Sequence, residues 1–314
     1  MADARAEVTV RLLRQDELAE ADRILRLAFG TFLGLADPMG FMGDGDYVRT
    51  RWAADPTAAL AAELDGELVG TNFVTRWGSV GLFGPLSVEP SSWDRGVARA
   101  LLRATMARLD AWGVAHRGLS TFPDSPKHLA LYASFGFQPR FLTSILAKPV
   151  AADPARPVTF ASLEDHDRGL ADAGAVAGSV FHGLDLRREI EATEVGGLGD
   201  TVMVYEGHDL AAFAVCHVGP GTEAGSGSCF VKFGAARAGV AAPRRFAALV
   251  DACEAYAAAR GVARFTAGVS TGRREAYRHL LERGFRSSRL LVALHHPDED
   301  AYHHPGAYVM DDWR

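Results

Sequence analysis

The sequence predicts a mixed α/β protein made of two similar units in tandem. Short apolar segments typical of strands alternate along the chain with segments of helical periodicity. Residues 148–157 contain three prolines in ten positions at the middle of the chain, which predicts an extended linker. Residues 132–137 (Tyr-Ala-Ser-Phe-Gly-Phe) and 280–285 (Leu-Leu-Glu-Arg-Gly-Phe) both end on Gly-Phe after a predicted helix. We therefore expect an internal duplication, with one domain at residues 1–150 and a second at 151–314.

Local patterns define the elements of the first half. Apolar residues recur at i, i+3 and i+4 from Leu18, which predicts an amphipathic helix. Asp65-Gly66 between two apolar runs predicts a hairpin. The expected order is strand 8–13, helix 18–28, strand 58–64, strand 68–77, strand 81–88, helix 96–112, strand 116–121, helix 126–135 and strand 137–147.

The second half repeats this order. It begins with a predicted strand near Val158 and has a hairpin around residues 206–209. The remaining elements are helices within 165–194, strand 229–235, helix 243–260, strand 263–269, helix 273–283 and strand 285–294.

The composition excludes several classes of protein. Lys plus Arg number 33 against 39 Asp plus Glu, a net charge of −6, so we expect neither nucleic-acid nor anionic-membrane binding. The three cysteines lack C-x-x-C spacing and predict neither a disulfide framework nor a zinc ribbon. Residues 1–10 carry charges before any apolar run, and no segment reaches ~18 apolar residues. We therefore expect a soluble, cytoplasmic protein with no signal peptide.

One segment has the features of an anion site. Residues 84–102 run from an apolar strand through a polar turn into Gly96 and a helix. The first N–H groups of a helix have no partner within it, and the helix dipole places partial positive charge there. Gly96 and Ala98 leave room for a ligand close to the backbone, so we expect an anionic phosphate to bind. The sequence has neither G-x-x-x-x-G-K-[ST] nor G-x-G-x-x-G after a strand, which argues against a nucleotide triphosphatase or a dinucleotide-binding fold.

Two motifs resemble those of the GCN5-related N-acetyltransferase (GNAT) superfamily. Val88-x-Pro90-x-x-Trp93-x-x-Gly96-x-Ala98 resembles the family's acetyl-CoA diphosphate loop, and residues 131–137 resemble its second signature. Trp93 stands where the family has Gln or Arg. The resemblance covers about residues 7–147. It implies two tandem GNAT-like domains, each a twisted, mostly antiparallel sheet flanked by helices.

The same resemblance implies acetyl-CoA as co-substrate. Residues 86–88 would pair with the amide groups of pantetheine, and residues 95–99 would surround the diphosphate. Arg95 or Arg99 would supply the cation that Trp93 cannot. The residues implied to bind the coenzyme are Leu86, Ser87, Val88, Trp93, Asp94, Arg95, Gly96, Val97, Ala98, Arg99 and Ser125.

Two catalytic roles follow from the resemblance and from amine chemistry. Tyr132 would act as general acid and protonate the departing CoA thiolate. An ammonium group with a pKa near 10 must lose a proton before it attacks, and Glu89 is the candidate base, with Asp124 and His128 as alternatives. The alternative interpretations are that Tyr132 is a core aromatic and that Glu89 caps the turn in solvent. No cysteine lies in the first half, which agrees with direct attack in a ternary complex.

The acceptor pocket is expected from the loop 29–52 and the strand 72–77. The loop combines aromatic and acidic residues, which suits a cationic amine, although the same residues also suit ordinary packing. The residues in question are Phe29, Phe32, Phe41, Tyr47 and Trp52 with Asp37, Asp44 and Asp46.

The second half is expected to keep the fold without the coenzyme site. Its strand-to-helix turn has Pro243 at the helix start, which removes an N–H donor, and Leu280 stands where Tyr132 does. A role in covering a sheet edge, shaping the amine pocket or forming a homodimer contact is expected, with an atypical second acyl-CoA site as the alternative. The histidine-rich residues 295–304 are expected to be a solvated extension rather than a metal site, and residues 308–313 to dock as a strand or through Trp313.

The sequence thus predicts an N-acetyltransferase that moves an acetyl group from acetyl-CoA to a primary amine of a small molecule or peptide. The alternative is a non-catalytic acyl-CoA binding or sensing protein.

Overall fold

The computed structural model describes residues 8–151 and 156–314 and shows a mixed α/β fold. In these ranges the helices are α1 Leu18–Phe32, α2 Val48–Ala54, α3 Val97–Trp112, α4 Pro126–Ala133, α5 His166–Val180, α6 Arg187–Val195, α7 Ala242–Ala259 and α8 Arg274–Glu282. The strands are β1 Thr9–Leu12, β2 Ala59–Leu64, β3 Glu67–Trp77, β4 Val80–Phe83, β5 Ser87–Val88, β6 His116–Thr121, β7 Gln138–Pro149, β8 Gly199–Glu206, β9 Asp209–Gly219, β10 Gly225–Ala236, β11 Arg264–Ser270, β12 Arg286–His296 and β13 Val309–Met310. The predicted fold class is confirmed.

Two predicted strands differ from the structure. The segment 81–88 forms two strands, because Gly84 and Pro85 interrupt it between β4 and β5. Proline has no N–H to donate to a ladder, and Gly84 has a φ of 136°. The chain near Val158 forms only one isolated bridge, from Thr159 to Val202. Residues 1–7 of the predicted N-terminal segment and residues 152–155 of the predicted linker lie outside the described residues.

The strands form one continuous sheet in which the two halves exchange a strand. The strand order is β1-β2-β3-β4-β6-β12-β7-β11-β10-β9-β8. Strand β12, from the second half, lies between β6 and β7, with Val292 opposite Thr121 and Leu142. Strand β7, from the first half, pairs on its other side with β11. Backbone hydrogen bonds therefore cross the predicted domain boundary on both sides of the exchange.

Helix α3 is held close to the sheet by its apolar face. Val97, Leu101, Leu102 and Leu109 are buried on that face. A Cβ at Gly70 of β3 would lie 3.1 Å from Val97 Cγ1 and 2.9 Å from a backbone oxygen, so only glycine allows this approach. The packing fixes the start of α3 beside β5.

A buried ionic network also joins the halves. Arg51 of α2 donates from Nε to Glu223 Oε1 at 3.0 Å, and Lys232 Nζ of β10 lies 2.9 Å from the same oxygen. Lys232 also contacts Glu189 of α6, which accepts a hydrogen bond from Trp77 Nε1 at 3.0 Å. Burial alone would raise the pKa of Glu223, but Arg51 and Lys232 outweigh it and hold that pKa well below its ordinary value.

The C-terminal segment is buried, so the prediction of a solvated extension is wrong. His295, His303 and Trp313 are each no more than 3% exposed, and β13 pairs with β10. Residues 308–313 were predicted to dock as a strand or through Trp313, and both are observed: β13 pairs with β10, and Trp313 is buried. No group of three His, Cys, Asp or Glu residues within residues 8–151 and 156–314 is arranged to hold a metal ion. Among the helices of the same ranges, none is long and apolar enough to cross a membrane.

We expect Lys232→Met to lower the free energy of unfolding by about 3–5 kcal/mol, because it leaves Glu189 and Glu223 buried with one cation fewer. Glu191→Gln, which breaks the exposed pair with Arg187, is the control and should cost less than about 0.5 kcal/mol. Urea unfolding of both variants measures the difference. Equal, small losses in the two variants would contradict a network that holds the halves together.

Candidate active site

A cleft opens where β4 and β6 part. The two strands pair in parallel from Val80–His116 to Leu82–Gly118. Beyond Leu82 the chain turns at Gly84–Pro85, and β5 pairs instead with β3. A cavity of 1110 Å³ lies in and beyond this cleft, a size typical of large ligand sites.

A run of unpaired backbone amides borders the cavity at the start of α3. Within the described residues, the six N–H groups of residues 94–99 have no protein acceptor, and the first paired amide is that of Ala100, which donates to Gly96 O at 3.0 Å. Gly96 has a φ of 86°, and a Cβ placed there would meet nothing within 4 Å. Unpaired amides at a helix N-terminus attract an anion, so the predicted phosphate turn has the required geometry.

Almost all the residues implied to bind the coenzyme line this cavity. They are Leu86, Ser87, Val88, Trp93, Asp94, Gly96, Val97, Ala98, Arg99 and Ser125. Ser125 also begins α4 as its N-cap, accepting from the amide of His128 at 3.4 Å.

Arg95 is the exception among them. Its side chain lies outside the cavity lining, 3.9 Å from Asp65, because the turn directs it toward the β2–β3 hairpin. Only its backbone amide belongs to the unpaired run. The cations at this end of the cavity are Arg99 and Lys127, and Lys127 Nζ lies 2.7 Å from Asp94.

Trp93 has a structural role that its sequence position did not indicate. Its Nε1 donates to Val88 O at 2.8 Å, which ties the turn to β5. The ring is 37% exposed, and Lys127 Nζ lies 5.9 Å from its centroid. The carbonyl of Val88 is therefore already bonded, whereas the amides of residues 94–99 are not.

Helix α4 places two titratable side chains in the cavity wall. His128 and Tyr132 are four residues apart, so they lie on one face of the helix. Tyr132 is 8% exposed, and burial raises its pKa, so the phenol is protonated at neutral pH. Burial, with a smaller effect of Lys127, lowers the pKa of His128, so its imidazole is neutral at pH 7.

The other two predicted bases do not reach the cavity. The carboxylate of Glu89 accepts a hydrogen bond from Arg23 of α1 at 2.7 Å, and it does not line the cavity. Arg23 pairs with it across 66 positions of sequence, which holds the side chain against α1. Asp124 also lies outside the lining.

The predicted acceptor loop contributes its aromatic residues but not its acids. Phe29, Phe32, Phe41 and Tyr47 line the cavity, whereas Trp52 donates to Leu13 O. The acids instead accept hydrogen bonds from backbone amides. Asp37 caps residues 38–40, Asp44 accepts from Ser226 N, and Asp46 accepts from Arg49 N. The predicted strand 72–77 stays out of the lining as well.

The second half supplies residues that sequence reasoning missed. Glu223, Phe230, Arg264, Arg289 and Arg314 line the same cavity. Arg289 lies over Phe122 at 5.8 Å, and Arg314 lies over Phe230 at 4.4 Å. No local motif marks these residues, because the strand exchange brings them to the first half.

The equivalent cleft of the second half is closed. Strands β10 and β11 pair in parallel from Ser228–Arg264 to Val231–Ala267 and then part, as β4 and β6 do. Strand β13 pairs with β10 just beyond this point, at Gly234 and Ala235. In the turn before α7 the amides of residues 237, 238 and 242 donate to protein oxygens, so the unpaired run among the described residues is 239–241, half as long as the run at 94–99.

Comparisons with known proteins agree with this geometry. Residues 29–137 match the sequence model of the acetyltransferase (GNAT) family. This part of the chain is therefore a GNAT acetyltransferase domain, and the resemblance drawn from the two motifs is confirmed. No curated protein matches the chain.

Solved structures share the fold over nearly the whole chain. A proposed acetyltransferase of Pyrococcus horikoshii has a TM-score of 0.68 at 14% identity, covering 98% of this chain and 95% of its own. A GCN5-related N-acetyltransferase of Sphaerobacter thermophilus has a TM-score of 0.58 at 15% identity, covering 92% and 95%. A glucosamine N-acetyltransferase region of a fungal multidomain β-N-acetylglucosaminidase has a TM-score of 0.63 at 14% identity, covering 94% and 39%.

We expect the imidazole of His128 to titrate below its ordinary pKa of 6.5, because burial beside Phe32 disfavours its charged form. Phe32→Ala should raise this pKa toward 6.5 by admitting water. Titration of the ring protons by NMR measures the His128 pKa in the wild type and in the variant. A wild-type His128 pKa at or above 6.5 would contradict the assignment.

Proposed function

We propose that the chain is an acetyl-CoA-dependent N-acetyltransferase that acts on a primary amine of a small molecule or peptide. The observation that carries this proposal is the run of six unpaired amides at residues 94–99, which borders the same cavity as Tyr132. The family match at residues 29–137 supports the acetyl donor.

The coenzyme would bind along β5 and the start of α3. The amides of residues 94–99 would hold the diphosphate, with Arg99 and Lys127 as the nearby cations. Pantetheine would follow residues 86–88, where the amide of Val88 is the available group because Trp93 already donates to its carbonyl. The same amide would polarise the thioester carbonyl.

The residues of α4 would move the protons. The amine nitrogen forms a bond to the thioester carbon, and His128, neutral at pH 7, takes the proton that the amine loses. The C–S bond then breaks, and the phenol of Tyr132 gives its proton to the thiolate. We assign the base to His128 rather than Glu89 because, of the three candidates, His128 is the one that lines the cavity.

The transfer would be direct, without an acyl-enzyme. The cysteines are Cys216, Cys229 and Cys253, all buried in the second half. The second half would serve as scaffold and acceptor wall, since β13 fills the cleft in which it would hold a coenzyme.

We expect Tyr132→Phe to lower kcat for CoA release by about 100- to 10,000-fold while acetyl-CoA affinity changes little, because only the proton donor is lost. Tyr277→Phe, in the core of the second half, is the matched control and should keep the wild-type rate. Thermal shift with acetyl-CoA and thiol release over an amine panel measure the two properties.

Three outcomes are informative. Equal rates for Tyr132→Phe and wild type would remove the assigned acid. Stabilisation by acetyl-CoA without thiol release on any amine would favour the alternative, a binding or sensing protein. Absence of stabilisation by acetyl-CoA would overturn the proposed function.

A further inference from the structure

The wall that the second half adds to the cavity carries uncompensated positive charge. Arg264 of β11 and Arg289 of β12 are exposed and line the cavity. Neither has an ion-pair partner among residues 8–151 and 156–314. The guanidinium of Arg289 lies over the ring of Phe122. Arg314 adds a third guanidinium, shared with Asp312 at 2.9 Å.

The acids in the lining are already neutralised. Glu223 is paired with Arg51 at 3.0 Å and with Lys232 at 2.9 Å. Asp94 is paired with Lys127 at 2.7 Å. The charges of Arg264 and Arg289 therefore remain available to a ligand, and a polycationic acceptor would be repelled.

These arginines belong to strands of the second half, whereas the amide turn belongs to the first half. The turn adjoins β5, whereas the strand order from the cleft outward is β6, β12, β7 and β11. At a strand spacing of about 4.8 Å, the backbone of β12 lies roughly 5 Å from β6 and that of β11 roughly 14 Å from it.

We propose that the acceptor amine carries an oxyanion, a carboxylate or a phosphate, that Arg264 and Arg289 bind. The inference rests on the proposed function and names its substrate class. Guanidinium groups bind such oxyanions through paired N–H donors, and the aromatic rings of Phe122 and Phe230 keep two of the arginines in place. The positive wall also disfavours the ammonium form of the acceptor, which increases the fraction of attacking free amine.

Calorimetric titration with matched acceptors tests the inference on the free protein and on the protein saturated with CoA, so that binding is measured without turnover. The probes are 6-aminohexanoate against 6-aminohexanamide, and O-phosphoethanolamine against ethanolamine. We expect the anionic member of at least one pair to bind about tenfold tighter, the effect of one charge-assisted interaction. The probe pair with the larger difference in affinity shows whether the site prefers a carboxylate or a phosphate.

The variants locate the preference. Arg264→Gln combined with Arg289→Gln should reduce it to less than about threefold, whereas Arg286→Gln, on β12 but outside the cavity lining, should keep it. Equal binding within both pairs, or a preference that survives the double variant, would overturn the inference and leave the proposed function standing. Loss of acetyl-CoA affinity in the double variant would also overturn it, by assigning the arginines to the coenzyme. Failure of the wild type to bind CoA or acetyl-CoA would instead count against the proposed function.

Discussion

The exchange of β7 and β12 is the constraint on which the arrangement of the site depends. Each strand pairs on both sides with strands of the other half, so the sheet continues from β1 to β8 without an edge at the junction. The exchange brings the face of β10 and β11 beside the cleft between β4 and β6. As a result, one cavity has an amide turn from one half and a wall of arginines from the other.

The two halves differ in what occupies their clefts. In the first half the strands part around an open cavity, and the amides beyond β5 are unpaired. In the second half β13 bonds to β10 where the strands part, and the amides of residues 236–238 and 242 have protein acceptors. The buried side chains of Val309, Met310 and Trp313 anchor this segment. The same architecture thus provides one cleft for a ligand and one that is filled by its own chain.

Features encoded by adjacent residues could be predicted from the sequence. The helices α3 and α4, the hairpin at Asp65–Gly66 and the turn at Gly96 depend on local periodicity and on glycine, and each lies within a few residues of its predicted position. The residues predicted to bind the coenzyme, except the Arg95 side chain, line one cavity for the same reason.

Features that depend on distant pairing could not be predicted in this way. Arg23, 66 positions away in sequence, binds the Glu89 carboxylate and holds it outside the cavity. The tail at 295–313 packs into the core instead of extending into solvent. The roles of Arg264 and Arg289 depend on the strand exchange, which no periodicity encodes. Trp93, which departs from the family pattern, gains its role from an indole hydrogen bond to Val88 that only the folded turn makes.

Hydrogen exchange of the backbone amides, with and without acetyl-CoA, tests the central claim most directly. If the unpaired N–H groups hold the diphosphate, the coenzyme should slow exchange in the peptide covering residues 93–100 and leave the turn at 236–243 unchanged. Unaltered exchange at 93–100 in the presence of saturating acetyl-CoA, or protection at 236–243 instead, would contradict the account.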